Sequence, residues 1–161
     1  MTALRELHQT GQSIWLDSIS RELLDSGTLA RYIAELSVTG LTSNPTIFEK
    51  AVSGTDRYDG LIRERLEHGL AAEPLFFELA LRDIREAAGL LGPEYDATSG
   101  RDGFASIEVS PTLADDAEGT IAEAKALHAR AERPNVLIKV RAPRRAWSRS
   151  RSSSPPVFRS T

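Results

Sequence analysis

Four short apolar runs, each next to polar or turn-forming residues and separated by stretches of helical spacing, constrain the fold of this chain more than any other feature. Ser13-Ile14-Trp15-Leu16-Asp17 and Val38-Thr39-Gly40-Leu41-Thr42 come first, followed by Phe104-Ala105-Ser106-Ile107-Glu108-Val109 and Asn135-Val136-Leu137-Ile138-Lys139-Val140. Runs of this length and character are what strands of a buried parallel sheet require. Between them the period changes to that of helices. Leu29, Tyr32, Ile33 and Leu36 share one helical face, and Ile121, Ala124, Leu127, His128 and Ala131 repeat it before the last run. Pro74 to Leu91, with Phe77, Leu81, Ile84 and Ala88 on one side and Pro74 at the first helical position, is the longest predicted helix.

Strand alternating with helix means βα units around a parallel sheet, either doubly wound or closed as a (β/α)8 barrel. The stretch from Pro45 to Gly100 is mostly helical in pattern and elaborates one crossover. No G-x-G-x-x-G follows the first strand and no P-loop occurs, which removes the usual signatures of a nucleotide-binding doubly wound sheet. The expected fold is therefore α/β, a (β/α)8 TIM barrel of which about the first four βα units are encoded.

At 161 residues, 40% hydrophobic and 27% charged, the chain has the composition of one soluble globular domain. It has no cysteine, so no disulfide or cysteine zinc site can form, and a reducing compartment is expected. The first twenty residues carry no basic segment followed by an apolar run, and no stretch of about eighteen apolar residues occurs. A cytoplasmic location without membrane association is the expectation. The net charge of −3 conceals an asymmetry. Residues 141–161 hold six arginines and no acid, which leaves 14 Lys and Arg against 23 Asp and Glu before them, a net of −9.

In a barrel, catalytic groups project from the C-terminal ends of strands. The residues there are Asp17, Thr42-Ser43-Asn44, Glu108 and Lys139. An ammonium group inside Val136-Leu137-Ile138-Lys139-Val140 is costly unless paired, and desolvation would favour the neutral amine that attacks a ketone. The alternative is a strand-end lysine that reaches water or pairs with Glu108. Glu108 and Asp17 can move the protons that carbinolamine formation, dehydration and carbon–carbon cleavage require. Equally, Asp17 can cap a helix beginning near Ser18, Glu108 can form an ion pair, and Asn44 before Pro45 can cap a helix. His8, His68 and His128 lack metal-ligand spacing, and Asp115-Asp116 reads as the start of the helix containing Ile121.

Gly40-Leu41-Thr42-Ser43-Asn44-Pro45-Thr46-Ile47-Phe48 resembles the first transaldolase signature, and Val136-Leu137-Ile138-Lys139-Val140 resembles the start of the second. Ile14-Trp15-Leu16-Asp17-Ser18 and Gly103-Phe104-Ala105-Ser106-Ile107-Glu108-Val109-Ser110-Pro111 are similar to the bacterial form of that family, and the likeness runs to Val140. The resemblance implies that Lys139 forms a Schiff base with a ketose phosphate, that Asp17 takes the hydroxyl proton that triggers cleavage, and that Glu108 works through a water. It further implies that Asn44, with Thr42 and Ser43 beside it, holds the dihydroxyacetone unit passed between sedoheptulose 7-phosphate and glyceraldehyde 3-phosphate. No metal or organic cofactor is implied. Leu41 departs mildly from the signature, where a smaller or β-branched residue is usual.

At Arg141 the likeness breaks, since the family pattern continues with proline and a Gly-Thr turn. Residues 141–161 read at face value as a basic, disordered Arg/Ser tail that could bind nucleic acid. A shifted reading frame accounts for them better. With GC-rich codons, the neighbouring frame can encode the missing proline and Gly-Thr turn, then a helical and a strand pattern, with a stop falling after Thr161. Residues 1–140 are then the N-terminal half of a barrel. Its strand edges would be unpaired, which makes self-association the physical expectation and catalysis by the half alone unexpected.

Overall fold

The computed structural model describes residues 3–140. Residues 141–161, and with them the predicted basic tail, lie outside the described residues. The elements in chain order are α1 (Ala3–Gln9), β1 (Ile14–Leu16), α2 (Arg21–Asp25), α3 (Thr28–Leu36), β2 (Val38–Thr42), α4 (Pro45–Ser53), α5 (Asp59–Glu67), α6 (Ala72–Ala97), β3 (Phe104–Glu108), a 3-10 turn (Pro111–Leu113), α7 (Ala117–Ala131) and β4 (Val136–Lys139). All four predicted strands form, β2 over its whole predicted length and the other three trimmed by one or two residues.

The strands make one parallel sheet in the order β1-β2-β3-β4. A doubly wound sheet reverses direction at a switch point, and this one does not. Successive right-handed crossovers that advance in a single direction gather the helices on one face, as in a barrel wall. Alternation along the strands agrees. Ala105, Ile107 and Val109 on one side of β3 are buried, as are Leu41 and Val136 beside them, and they join the helices in one core. On the other side Trp15 and Leu137 remain exposed.

Helix α6 contributes more to that core than any other element. Phe77, Leu81, Ile84 and Ala88 are all buried, as their spacing requires. It begins two residues before Pro74, in the first turn where a missing N–H costs nothing, and runs on past Leu91 through Pro93. The glycine at position 92 leaves no Cβ to crowd the proline ring. Phe48 of α4 packs edge-on against Tyr58 and Phe76, with ring centroids 5.9 and 5.3 Å away. Helix α7 is rotated slightly from expectation. Leu127 and Ala131 are buried, but Ile121 and His128 are exposed, so its inner face is narrower than the apolar spacing suggested.

Candidate active site

Register decides which side chains share the open face. Trp15 pairs with Gly40 and Gly40 with Phe104; Thr42 pairs with Ser106 and Ser106 with Leu137; Glu108 pairs with Lys139. Paired residues in a parallel sheet point the same way, and residues two apart on a strand do likewise. Trp15, Thr42, Ser106, Glu108 and Lys139 therefore rise in layers toward the C-terminal end. Asp17 and Asn44, each two residues beyond an open-face position, continue the series at the ends of β1 and β2.

The layers have distinct characters. At the bottom the Trp15 ring lies across Gly40, where any added Cβ would overlap the indole. Above it Ser106, almost fully buried, donates from Oγ to Thr42 Oγ1 at 3.0 Å. At the top Lys139 Nζ lies 3.9 Å from Glu108 Oε2. Neither is engulfed, the lysine side chain being 39% and the glutamate side chain 15% exposed. Of the two readings the sequence leaves open, the structure follows the strand-end lysine beside Glu108. The lysine ends its strand and reaches outward beside an acid.

Asn44 does what its position before Pro45 predicts. Its Oδ1 accepts from the Ile47 N–H at 2.9 Å and caps α4, with Pro45 opening the helix. The cap uses the carbonyl oxygen and leaves the amide nitrogen available to another partner. Asn44 and Glu108 line a common cleft of about 330 Å³ with Pro45, Thr46, Ile47 and Pro111. Ser43 is buried outside that cleft; its N–H extends the ladder to Ser106 O at 3.0 Å. Asp17 is exposed and caps nothing in α2, whose N-cap is Ser20, accepting from Leu23 N at 3.1 Å. The helix starts three residues later than expected, so the capping role proposed for Asp17 falls to Ser20. Asp116 caps α7 through the Gly119 N–H, as its acidic pair with Asp115 suggested.

Two groups of residues escaped the sequence reading. Ser106 was legible in principle, since it precedes Glu108 by two on the same strand face. The second group lies on the helix side. Arg21, 4% exposed, donates to Asp25 and Asp83 at 2.8 Å each and also to Glu86, while the Tyr58 hydroxyl donates to Asp83 at 2.6 Å and accepts from the Arg21 N–H. Burial works against the Arg21 charge, but its bonds to Glu86 and Asp25 and the nearby Asp83 charge outweigh that and raise its pKa. Burial pushes the Asp83 carboxyl above its ordinary range against the pull of Tyr58 and Arg21, and burial with the Asp83 bond raises Tyr58. The Arg21 bond holds Asp25 below the usual carboxylate range. No sequence spacing links positions 21, 58 and 83.

Among the described residues no helix is long and apolar enough to cross a membrane, and no cluster of His, Asp and Glu could hold a metal. Residues 14–146 match the family Transaldolase/Fructose-6-phosphate aldolase. The chain is 48% identical over 137 residues to the transaldolase of Thermobifida fusca, covering 85% of this chain and 37% of that protein. It is 45% identical over 137 residues to transaldolase 1 of Streptomyces avermitilis, covering 85% and 36%. The transaldolase of Thiobacillus denitrificans is 44% identical over 141 residues, covering 87% and 39%. The chain thus spans little more than a third of the length of the curated relatives it matches. It belongs to the transaldolase/fructose-6-phosphate aldolase family, and its four-stranded parallel sheet is part of a TIM barrel.

Proposed function

We propose that this member of the family carries the Schiff-base portion of a transaldolase site, with Lys139 as the covalent amine. The observation that carries the reading is the register of Glu108 against Lys139 on the open face, Nζ 3.9 Å from Oε2, at the same end of the sheet as Asn44 and Asp17. In this reading the Lys139 amine adds to the ketone of a ketose phosphate, and Glu108, working through a water, delivers the proton with which the carbinolamine oxygen departs. Asp17 then takes the proton of the hydroxyl next to the bond that breaks. Electrons of that bond flow into the protonated imine, an aldehyde leaves, and the three-carbon unit stays on Lys139 as an enamine. The enamine then attacks a second aldehyde while Asp17 gives its proton to the new alkoxide, and hydrolysis, with the Glu108 carboxylate taking a proton from the attacking water, completes the transfer from sedoheptulose 7-phosphate to glyceraldehyde 3-phosphate or the reverse.

The Asn44 amide nitrogen, free of the cap, would hold hydroxyls of the dihydroxyacetone unit, with Thr42 below it and Ser43 completing the turn. Residues 1–140 would be the N-terminal half of the barrel, with residues 141–161 a frame-shifted tail, and the protein would work in the cytoplasm. The family's name covers a second outcome, an aldolase that releases the donor fragment. Product analysis separates the two, since only a transaldolase yields a new ketose phosphate stoichiometrically with acceptor consumed.

The chain has three lysines, at 50, 125 and 139. Incubation with fructose 6-phosphate and borohydride, followed by peptide mapping, should place a reduced adduct on Lys139. An adduct confined to Lys50 of α4 or Lys125 of α7 overturns the assignment.

A further inference from the structure

Just past the Glu108–Lys139 pair, a small polar cluster surrounds Ser110, which is almost completely buried. Its backbone N–H donates to Glu123 Oε2 at 2.7 Å, and its Oγ donates to Glu73 Oε1 at 2.7 Å. A hydroxyl has one proton. With that proton on Glu73, the 2.7 Å contact between Ser110 Oγ and Thr112 Oγ1 must be donated by the threonine, whose N–H also faces Ser110 Oγ at 3.4 Å. Glu73 belongs to the first turn of α6 and Glu123 to α7, so two helices far apart in sequence grip the same residue. On its other side the segment is tied to β4 by the Val109 N–H to Lys139 O bond at 3.1 Å.

We infer that Ser110, clamped by Glu73 and Glu123, is a positioning residue that fixes Glu108 relative to Lys139. The inference rests on the Schiff-base reading above. Glu108 stands at the last position of β3, where a strand would otherwise be free to splay, and the pair it makes with Lys139 is loose at 3.9 Å. The backbone on either side of Glu108 is anchored, by the ladder to β4 below and by the Ser110 clamp above. Pro111 follows immediately and lines the same cleft as Glu108, so movement of Ser110 shifts the wall of the site as well as the acid. An acid that must pass a proton through a water tolerates little displacement. The capping of a three-residue 3-10 turn alone needs only Ser110 itself; two carboxylates from separate helices hold more than a turn.

The test uses the 161-residue chain and measures the rate at which dihydroxyacetone plus borohydride labels Lys139, over a range of ketone concentrations and of pH. Ser110→Ala and Glu73→Ala should lower the maximal labelling rate about tenfold, leave the half-saturating ketone concentration unchanged and flatten the acid limb of the pH profile. Glu73→Gln keeps an acceptor oxygen and should label near the wild-type rate. Glu73 is exposed, so its alanine variant should keep the wild-type circular dichroism and melting temperature even if Ser110→Ala does not. Wild-type rates and pH profiles in the Glu73→Ala variant overturn the clamp alone. Absence of any Lys139 label in the unaltered chain overturns the Schiff-base reading and the clamp together.

Discussion

The two faces of the sheet use the same residue types to opposite ends. On the covered face Arg21 meets Asp83 and Asp25 at 2.8 Å each, Tyr58 closes the network, and none of the buried side-chain polar atoms among the described residues lacks a partner. On the open face Lys139 stands 3.9 Å from Glu108, Asp17 is exposed, and the strand edges β1 and β4 have one neighbour each within the described residues. A closed set of bonds locks an ion pair into the fold, because breaking it strands a charge away from water. A loose pair at a strand end contributes little to stability.

The most severe break of the comparison concerns turnover. Positioning of reacting groups can be worth roughly 7–11 kcal/mol of barrier, and the proposed half barrel would lack the strands needed to close round a substrate and hold it against Asp17, Asn44, Glu108 and Lys139. The 161-residue chain should therefore show no measurable transfer between sedoheptulose 7-phosphate and glyceraldehyde 3-phosphate. Restoring the reading frame near codon 141 and reading on should produce it. Comparable turnover by both chains would show that the open face is already organised; a stop codon within a few codons in the alternative frame would end the frameshift proposal.

Next in size are two substitutions, one on each face. Asp83→Ala leaves the Arg21 guanidinium and the Tyr58 hydroxyl without their buried acceptor, and should cost ~3–5 kcal/mol in urea unfolding followed by circular dichroism. Lys139→Ala should change stability by no more than ~0.5 kcal/mol while abolishing the borohydride adduct at that position. If the lysine variant proves as unstable as the aspartate variant, the division between a stability face and a reactive face is wrong.

The division itself was only half visible in the sequence. Strands and the polar residues at their ends were legible because a buried parallel strand leaves a local pattern, an apolar run closing on polar residues, and Asp17, Asn44, Glu108 and Lys139 all lie at such ends. Asn44 announced its cap through Pro45. The Arg21–Tyr58–Asp83 network left no such pattern, since its members sit in different helices or turns and meet only through packing. For Lys139 the sequence left two readings open, burial in the apolar run and a strand-end lysine beside Glu108, because spacing places a residue on a face but says nothing of what covers that face. Ile121 failed for the same reason, its apolar character being a prediction of burial that the observed packing of α7 does not meet.

Two glycines sharpen the comparison at smaller scale. Gly103 has φ +82°, and a Cβ there would overlap the backbone of Tyr95 and Leu91 in α6. Gly103→Ala thus combines left-handed strain with a rigid clash, each ~1–3 kcal/mol. At Gly40 the obstacle is the Trp15 ring, 38% exposed and able to swing toward the open side. Gly40→Ala should cost nearer ~1 kcal/mol and shift the tryptophan emission, while Gly103→Ala leaves emission alone. Equal losses at the two positions would mean that the open face is as tightly packed as the covered one.

The smallest effect lies at the edge of the covered network. Asp25 accepts from Arg21 Nε at 2.8 Å and from Arg57 Nη1 at 3.1 Å, and its pKa is lowered first by the Arg21 bond. A depressed carboxylate contributes stability that is fully present above the unfolded-state pKa, near 4, and is lost as pH falls through the lower folded value. Asp25→Asn has no proton to bind there. Its melting temperature should lie slightly and constantly below that of the unaltered chain from pH 5 to 7, and the two curves should converge as the pH falls below about 4. Asp83 responds in the opposite sense, because burial raises its pKa and its cost grows as pH rises through that value, but it is common to both chains and cancels from the difference. A gap that stays constant, or widens, toward acid would show that the Asp25 charge is not engaged by Arg21, and that the network on the covered face ends at Asp83.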